Sequence, residues 1–159
     1  MHLGTIVGHH ARFRPSHEGV VFEGQRFTWS EFSLRVNRSA NALLGLGLRK
    51  GDAVALMLPN CLELIELYWA AAATGIVVVP LSPLLRGSGL LTLLKDSGAA
   101  AVVSTAELAP ALEEARAQLP DIPASRWILA SPAQAARQAG HACYEQLTAA
   151  ASAQVPAKA

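Results

Sequence analysis

Charge is scarce in this sequence. Only 16% of its 159 residues are Asp, Glu, Lys or Arg, and the net charge is +1. A balance this close to zero gives no electrostatic reason to expect nucleic acid or an anionic membrane surface as a partner. Lysine is scarcer still: Lys50, Lys95 and Lys158 are the three present. Lys50 precedes its glycine in a turn entering a strand, so no Walker-type phosphate loop is formed. Cysteine is limited to Cys61 and Cys143, too far apart for metal-ligand spacing, and each is expected as a free, buried thiol. The N-terminus has neither the charged start nor the apolar stretch of a secretory signal, and a reducing, cytoplasmic location is expected. Long uninterrupted apolar runs are also missing. Residues 64–85 carry a single charge, Glu66, over a length that could span a bilayer. Gly75 and Pro80 would break such a helix at mid-depth, and Ile76 to Val79 are β-branched, so no transmembrane segment is expected.

What the chain does have is apolar content, 52% of residues, much of it alanine. A chain of this length can bury a proper core, and the excess hints at a surface covered by another part of a larger protein. The organising stretch is residues 48–83, which predicts one strand–helix–strand unit. Residues 53–58 form an apolar run between turn signals, as expected of a strand buried on both faces. Asn60 is placed to cap the following helix, with Glu63 completing a capping box. Gly75 closes that helix in a left-handed conformation, and residues 76–79 return as a second buried strand, stopped by Pro80.

The remaining elements follow in order. Residues 3–13 predict a first helix, and residues 19–28 a hairpin turning at Gly24-Gln25. Thr28 or Ser30 caps a helix over 31–46 whose stripe of Trp29, Phe32, Val36, Ala40 and Leu43 is buried; Arg35, Asn37, Arg38 and Asn41 are expected in solvent. A short helix over 90–96, a strand over 99–103, a helix capped by Thr105 and running to Gln118, and a strand over 126–129 come next. The segment from Ser131 is Ala-rich, with one short helix over 144–151 and a loose tail. Strands alternating with helices predict an α/β fold with a mostly parallel sheet and flanking helices. The domain reading is an α/β subdomain over residues 1–130 and the Ala-rich segment over 131–159.

No chemistry-bearing constellation emerges from the residues. Gly45-Leu46-Gly47 follows a helix, the wrong context for a dinucleotide loop, and Gly87-Ser88-Gly89 lacks the third glycine. His9 and His10 point about 100° apart on a helix and have no third ligand nearby. Glu63 and Glu66 share a helix face, where they are expected to sit in solvent and favour the helix dipole. Asp96, Ser97 and Glu107 have no identifiable histidine partner, and Tyr68 and Trp69 read as core packing with a polar edge. No catalytic, cofactor-binding or metal-ligating residue is assigned.

Ordered blocks of sequence carry a resemblance. They are Phe-Thr-Trp-Ser-Glu-Phe at 27–32, Arg-Val-Asn-Arg-Ser-Ala-Asn-Ala-Leu at 35–43, and Leu-Arg-Lys-Gly-Asp-Ala-Val-Ala at 48–55. Leu58-Pro59-Asn60, residues 74–83, residues 94–99 and Tyr144-Glu145-Gln146-Leu147 continue the series. The chain resembles the N-terminal part of the adenylate-forming (AMP-binding) superfamily, and within it acyl-CoA synthetases and fatty-acid–CoA ligases. The resemblance implies a two-step reaction for the complete enzyme. A carboxylate attacks the α-phosphate of ATP with Mg²⁺, and coenzyme A then takes the acyl group from the acyl-adenylate. The family's phosphate loop and catalytic lysine have no match here, and the loop is expected beyond residue 159. This chain alone is therefore expected to bind none of ATP, Mg²⁺ or coenzyme A and to be inactive. Its expected partner is the remainder of the ligase, or a second copy meeting it through an exposed apolar face. The alternative is a stand-alone, non-catalytic α/β interaction module. At Arg86-Gly87-Ser88-Gly89, where relatives start a helix with Thr-Pro/Glu-Glu types, glycines are expected to fray the first turn.

Overall fold

A computed structural model describes residues 2–156 of the protein. A short 3-10 turn, Leu3–Thr5, leads into α1 (Ile6–Phe13), and β1 (Glu18–Phe22) pairs antiparallel with β2 (Gln25–Thr28). The hairpin turns at Glu23 and Gly24, whose φ values are 47° and 80°. Two successive positive φ values suit the right-handed twist of a hairpin, so the turn lies one residue before the position expected from the sequence. Then α2 (Trp29–Gly45) begins at Thr28. The Thr28 hydroxyl accepts the Glu31 N–H at 3.2 Å, and the Glu31 carboxylate accepts the Thr28 N–H at 2.8 Å. This is a complete capping box.

The central unit runs β3 (Ala53–Leu56), α3 (Leu62–Thr74), β4 (Val77–Pro80). Gly75 ends α3 at φ 75°, as a left-handed cap requires. Two details differ from expectation. Cys61, not Asn60, is the N-cap of α3, and no side-chain capping bond is made. In addition, β4 is not buried on both faces: it is the edge of the sheet, and Val77 is 49% exposed. A run of β-branched residues reads the same in an edge strand as in a central one.

Next come α4 (Gly87–Asp96), β5 (Ala99–Ser104), α5 (Ala109–Ala117) and β6 (Trp127–Leu129). The glycines at 87 and 89 lie within α4 rather than in a loop ahead of it. Helix α5 starts three residues later than expected, with Leu108 and not Thr105 as its N-cap, because residues 105–108 close a turn in which the Leu108 N–H donates to the Thr105 carbonyl. Pro110 then occupies the first turn of the helix, where its missing N–H costs nothing. Beyond residue 130 the chain holds α6 (Ala133–Gln138), β7 (Ala142–Cys143) and α7 (Tyr144–Ala150), more than the single helix expected there.

Strands β3 to β7 form one five-stranded parallel sheet in the order β4-β3-β5-β6-β7. Alternate residues of β3 and the position after it feed two cores. Val54 and Leu56 pack with Leu43, Leu67, Val103 and Ile128 beneath α2 and α3. Ala55 and Met57 pack with Leu90, Leu94, Val102, Leu112 and Trp127 beneath α4 and α5. Both faces of the sheet are thus covered, the arrangement that parallel sheets require. Among the described residues, no helix is long and apolar enough to cross a membrane.

Candidate functional site

Parallel α/β sheets gather ligands at the carboxyl ends of their strands, and a partly polar cavity opens there. Residues 130–132, just past β6, and Tyr144 and Glu145, just past β7, form one wall. Arg35 and Arg38 of α2 and Glu63 and Glu66 of α3 form the other, around a volume of about 690 Å³.

Its floor is a buried hydrogen-bond network. Glu66 is 2% exposed. Its carboxylate accepts the Arg35 Nε–H at 2.5 Å through Oε1 and the Tyr144 hydroxyl at 2.9 Å through Oε2. The Tyr144 oxygen also lies 2.5 Å from the Ser39 Oγ, which itself donates to the Arg35 carbonyl at 3.0 Å. Arg35 extends along the Phe27 ring, 5.2 Å from its centroid, a favourable cation–π distance. Burial holds the Glu66 carboxyl above the ordinary carboxylate range, although Arg35 and Tyr144 pull it down. Burial, reinforced by the neighbouring Glu66, keeps the Tyr144 phenol well above its usual value. Tyr144 is thus a neutral donor, and the carboxylate already has a partner at each oxygen. The network joins α2, α3 and α7; it does not activate a nucleophile.

This geometry corrects the sequence reading of Glu66, which does not sit in solvent with Glu63 but closes a network with residues 31 and 78 positions away. Arg35 likewise is tied into the fold. Asn37, Arg38 and Asn41, also expected in solvent, donate to main-chain carbonyls of residues 149–154. The tail over 152–154, expected to be loose, is therefore held along α2; residues 157–159 of the expected tail lie outside the described residues.

The other candidates are placed apart from this cavity. His9 is exposed on α1, and His10 stacks on Trp29 at 4.6 Å between centroids. Asp96 and Glu107 are exposed. Tyr68 is 42% exposed rather than core, whereas Trp69 packs with Phe32 and Leu62. Cys61 is half-buried, and burial pushes its thiol up to about 11, so it stays protonated and poorly nucleophilic. Cys143 is a buried free thiol in β7. Sequence reasoning missed His141, whose Nε2 lies 2.9 Å from the Glu113 Oε1 and 3.2 Å from the Arg116 Nη1. Its only sequence signal is the i, i+3 pairing of Glu113 and Arg116 on α5. Among the described residues, no group of three or more His, Cys, Asp or Glu is placed to hold a metal.

A parallel sheet with helices on both faces and a cavity at its carboxyl edge defines a doubly covered α/β module. The chain belongs to the AMP-binding enzyme family, whose model matches residues 7–157. It is 39% identical over 93 residues to a long-chain-fatty-acid–CoA ligase, FadD13, of Mycobacterium tuberculosis; the match covers 58% of this chain and 18% of that protein. The fold superposes on the N-terminal domain of FACL13 from Mycobacterium tuberculosis with a TM-score of 0.82 at 28% identity, covering 99% of this chain and 38% of the other. With the anthranilate CoA ligase AuaEII in complex with anthranoyl-AMP, a TM-score of 0.85 at 20% identity, over 99% of this chain and 29% of that one, shows the shared fold alone. The fold is thus the N-terminal part of adenylate-forming enzyme structures, and the chain spans under a fifth of the curated ligase it matches.

The family implies ATP, Mg²⁺ and coenzyme A for complete enzymes. The residues of this cavity do not fit a triphosphate. Arg35 is paired with Glu66, Arg38 is committed to two carbonyls, and Glu63, Glu66 and Glu145 line the same space. Three carboxylates would oppose the phosphate charge that bound donors must neutralise.

The Glu66 network makes a prediction about pH. An acid whose folded-state pKa is raised binds its proton more tightly in the folded chain. Its contribution is then fully present below its unfolded value of 4.5 and is lost as pH rises through the higher folded value. Glu31 and Glu107 are shifted the other way, so their contributions change below 4.5. Above that pH, Glu66→Gln is expected to flatten the decline in stability expected of the parent chain. Urea midpoints of both chains across pH 4.5–7 check this; parallel curves would contradict it.

Proposed function

We propose that this chain is the N-terminal scaffold portion of an ATP-dependent, AMP-forming acyl-CoA ligase acting on a fatty carboxylate. We propose further that the chain by itself does not carry out adenylation. The observation that carries the reading is the AMP-binding match over nearly the whole chain, to relatives named as CoA ligases. The cavity supports the second half: Arg35 Nε is bonded to Glu66 and Arg38 Nη1 to two main-chain carbonyls, and three carboxylates line the same space. In the complete ligase, this portion would fix the sheet and the exit direction of the chain after α7, while residues elsewhere bind the nucleotide.

The partner in this reading is the remainder of the ligase. Exposed Leu3, Val21, Ile65 and Tyr68 line a groove of about 610 Å³ between the hairpin and α3, an apolar surface of the kind that such a partner would cover. Free Cys61 and Cys143 suit a reducing compartment, and the cytoplasm is the proposed location.

Calorimetric titration of the 159-residue chain with ATP–Mg²⁺, beside a pyrophosphate-release assay with fatty acid and coenzyme A, tests the reading. No binding heat and no acid-dependent pyrophosphate are expected. Micromolar ATP binding or turnover would overturn it and direct attention to Arg35 and Arg38.

A further inference from the structure

The polar face of α2 contains Asn37, Arg38 and Asn41, all half-buried. The Arg38 Nη1 donates to the carbonyls of Ala149 at 3.1 Å and Ala151 at 2.9 Å. The Asn37 Nδ2 donates to Ala153 at 3.0 Å, and the Asn41 Nδ2 to Ser152 at 2.8 Å and Gln154 at 2.9 Å. Three side chains thus read five carbonyls of one short segment. On an α-helix, positions 37, 38 and 41 lie on adjoining parts of one face, since residues three and four apart are neighbours. Ala149 lies in the last turn of α7, and the non-helical chain beyond that helix, residues 151–154, presents its carbonyls to that face in succession.

The contacts are made to main chain. Ser152 and Gln154 are exposed, and the one bond made by a side chain within 151–154 is local, from the Gln154 N–H to the Ser152 Oγ. Arg38 also lines the cavity whose wall includes Tyr144, Glu145, Thr148 and Ala149. Holding the segment therefore also holds α7 against that cavity.

From this geometry we infer that the polar face of α2 is a main-chain-binding surface, and that residues 151–154, which leave the end of α7, are a releasable strap docked on it independently of the sequence of their side chains. The strap lies outside the two sheet cores. Between the end of α7 and the buried Pro156, its attachment rests on polar groups, which contribute modestly one by one, so opening need not unfold the sheet.

Hydrogen exchange of the full chain, read by mass spectrometry, with elastase cleavage as a second readout, tests this. Asn41→Ala and Arg38→Ala should each accelerate exchange and cleavage within residues 151–155 by about tenfold, the effect expected for losing two modest hydrogen bonds. Exchange in β3 and β5 should stay as in the parent. Ser152→Ala and Gln154→Ala should leave the strap as protected as before. Three outcomes would overturn the inference: strap exchange unchanged in the α2 variants, equal acceleration throughout the sheet, or the same release caused by the strap side-chain variants.

Discussion

Trp127→Ala is expected to destabilise the chain by about 4 kcal/mol, within the range for emptying a large aromatic site in a close-packed core. Trp127 is 1% exposed and opens β6 on the side of the sheet covered by α4 and α5. Its ring packs among Met57, Leu112 and Ile122, and its indole N–H donates to the Ile122 carbonyl at 3.2 Å. Truncation removes the apolar burial, leaves a void bounded by strands that cannot collapse without shifting register, and deprives a carbonyl of its donor. Trp127→Phe should cost less than half as much, since it retains most of the ring volume and loses chiefly the hydrogen bond. Urea unfolding measures both. A lowered midpoint at unchanged slope reports lost stability, whereas a changed slope would signal altered compactness. A loss under about 1.5 kcal/mol for the alanine variant would show that this core is loosely packed.

The second large effect is at Glu66. Glu66→Ala is expected to cost about 3 kcal/mol, the low end for removing one member of a buried charge pair. The low end applies because the two partners left behind have other recourse. The Arg35 side chain is 41% exposed and can rehydrate, and the Tyr144 hydroxyl keeps Ser39 at 2.5 Å. Arg35→Ala is the instructive contrast, because it leaves the buried carboxylate with Tyr144 as its one remaining partner among those described. The Glu66 proton should then be held still more tightly, and the pH dependence of stability should steepen. Denaturation midpoints at pH 5 and pH 8 separate the two variants: Glu66→Ala flattens the difference and Arg35→Ala enlarges it. Identical pH behaviour in both would remove the Arg35–Glu66 pair as its source.

Much of the fold is legible in the sequence where the signal is local, although the equally local Asn60–Glu63 box is not formed. Short apolar runs, a cap at Thr28 and the glycine at 75 are each written within a few residues, and strand–helix–strand order follows from them. Strand position within the sheet is not local, which is why β4 reads as buried although it lies at the edge. The polar cavity was not legible for the same reason. Glu66 in a helix beside Glu63 has the pattern of an exposed carboxylate pair, and its partners Arg35 and Tyr144 reach it only after α2, α3 and α7 have packed. The strap was hidden differently. Its residues have no periodicity, and its attachment is encoded on α2, in asparagine and arginine side chains that a helical stripe assigns to solvent. The family resemblance was legible because its blocks are scaffold features, which hold their order along the chain even where no catalytic group is present.

The order β4-β3-β5-β6-β7 has a consequence for how the protein is made. As the chain emerges from the ribosome, β3 and β4 are the first parallel strands available, and they pair through one intervening helix. β5 then joins the free side of β3, and β6 and β7 add in turn to the same growing edge. Each new strand meets a template already complete, and no pair formed earlier has to reopen to admit a later one. Parallel sheets are slow to assemble because their contacts are distant along the chain; vectorial synthesis supplies those contacts in the sequence in which this sheet can use them.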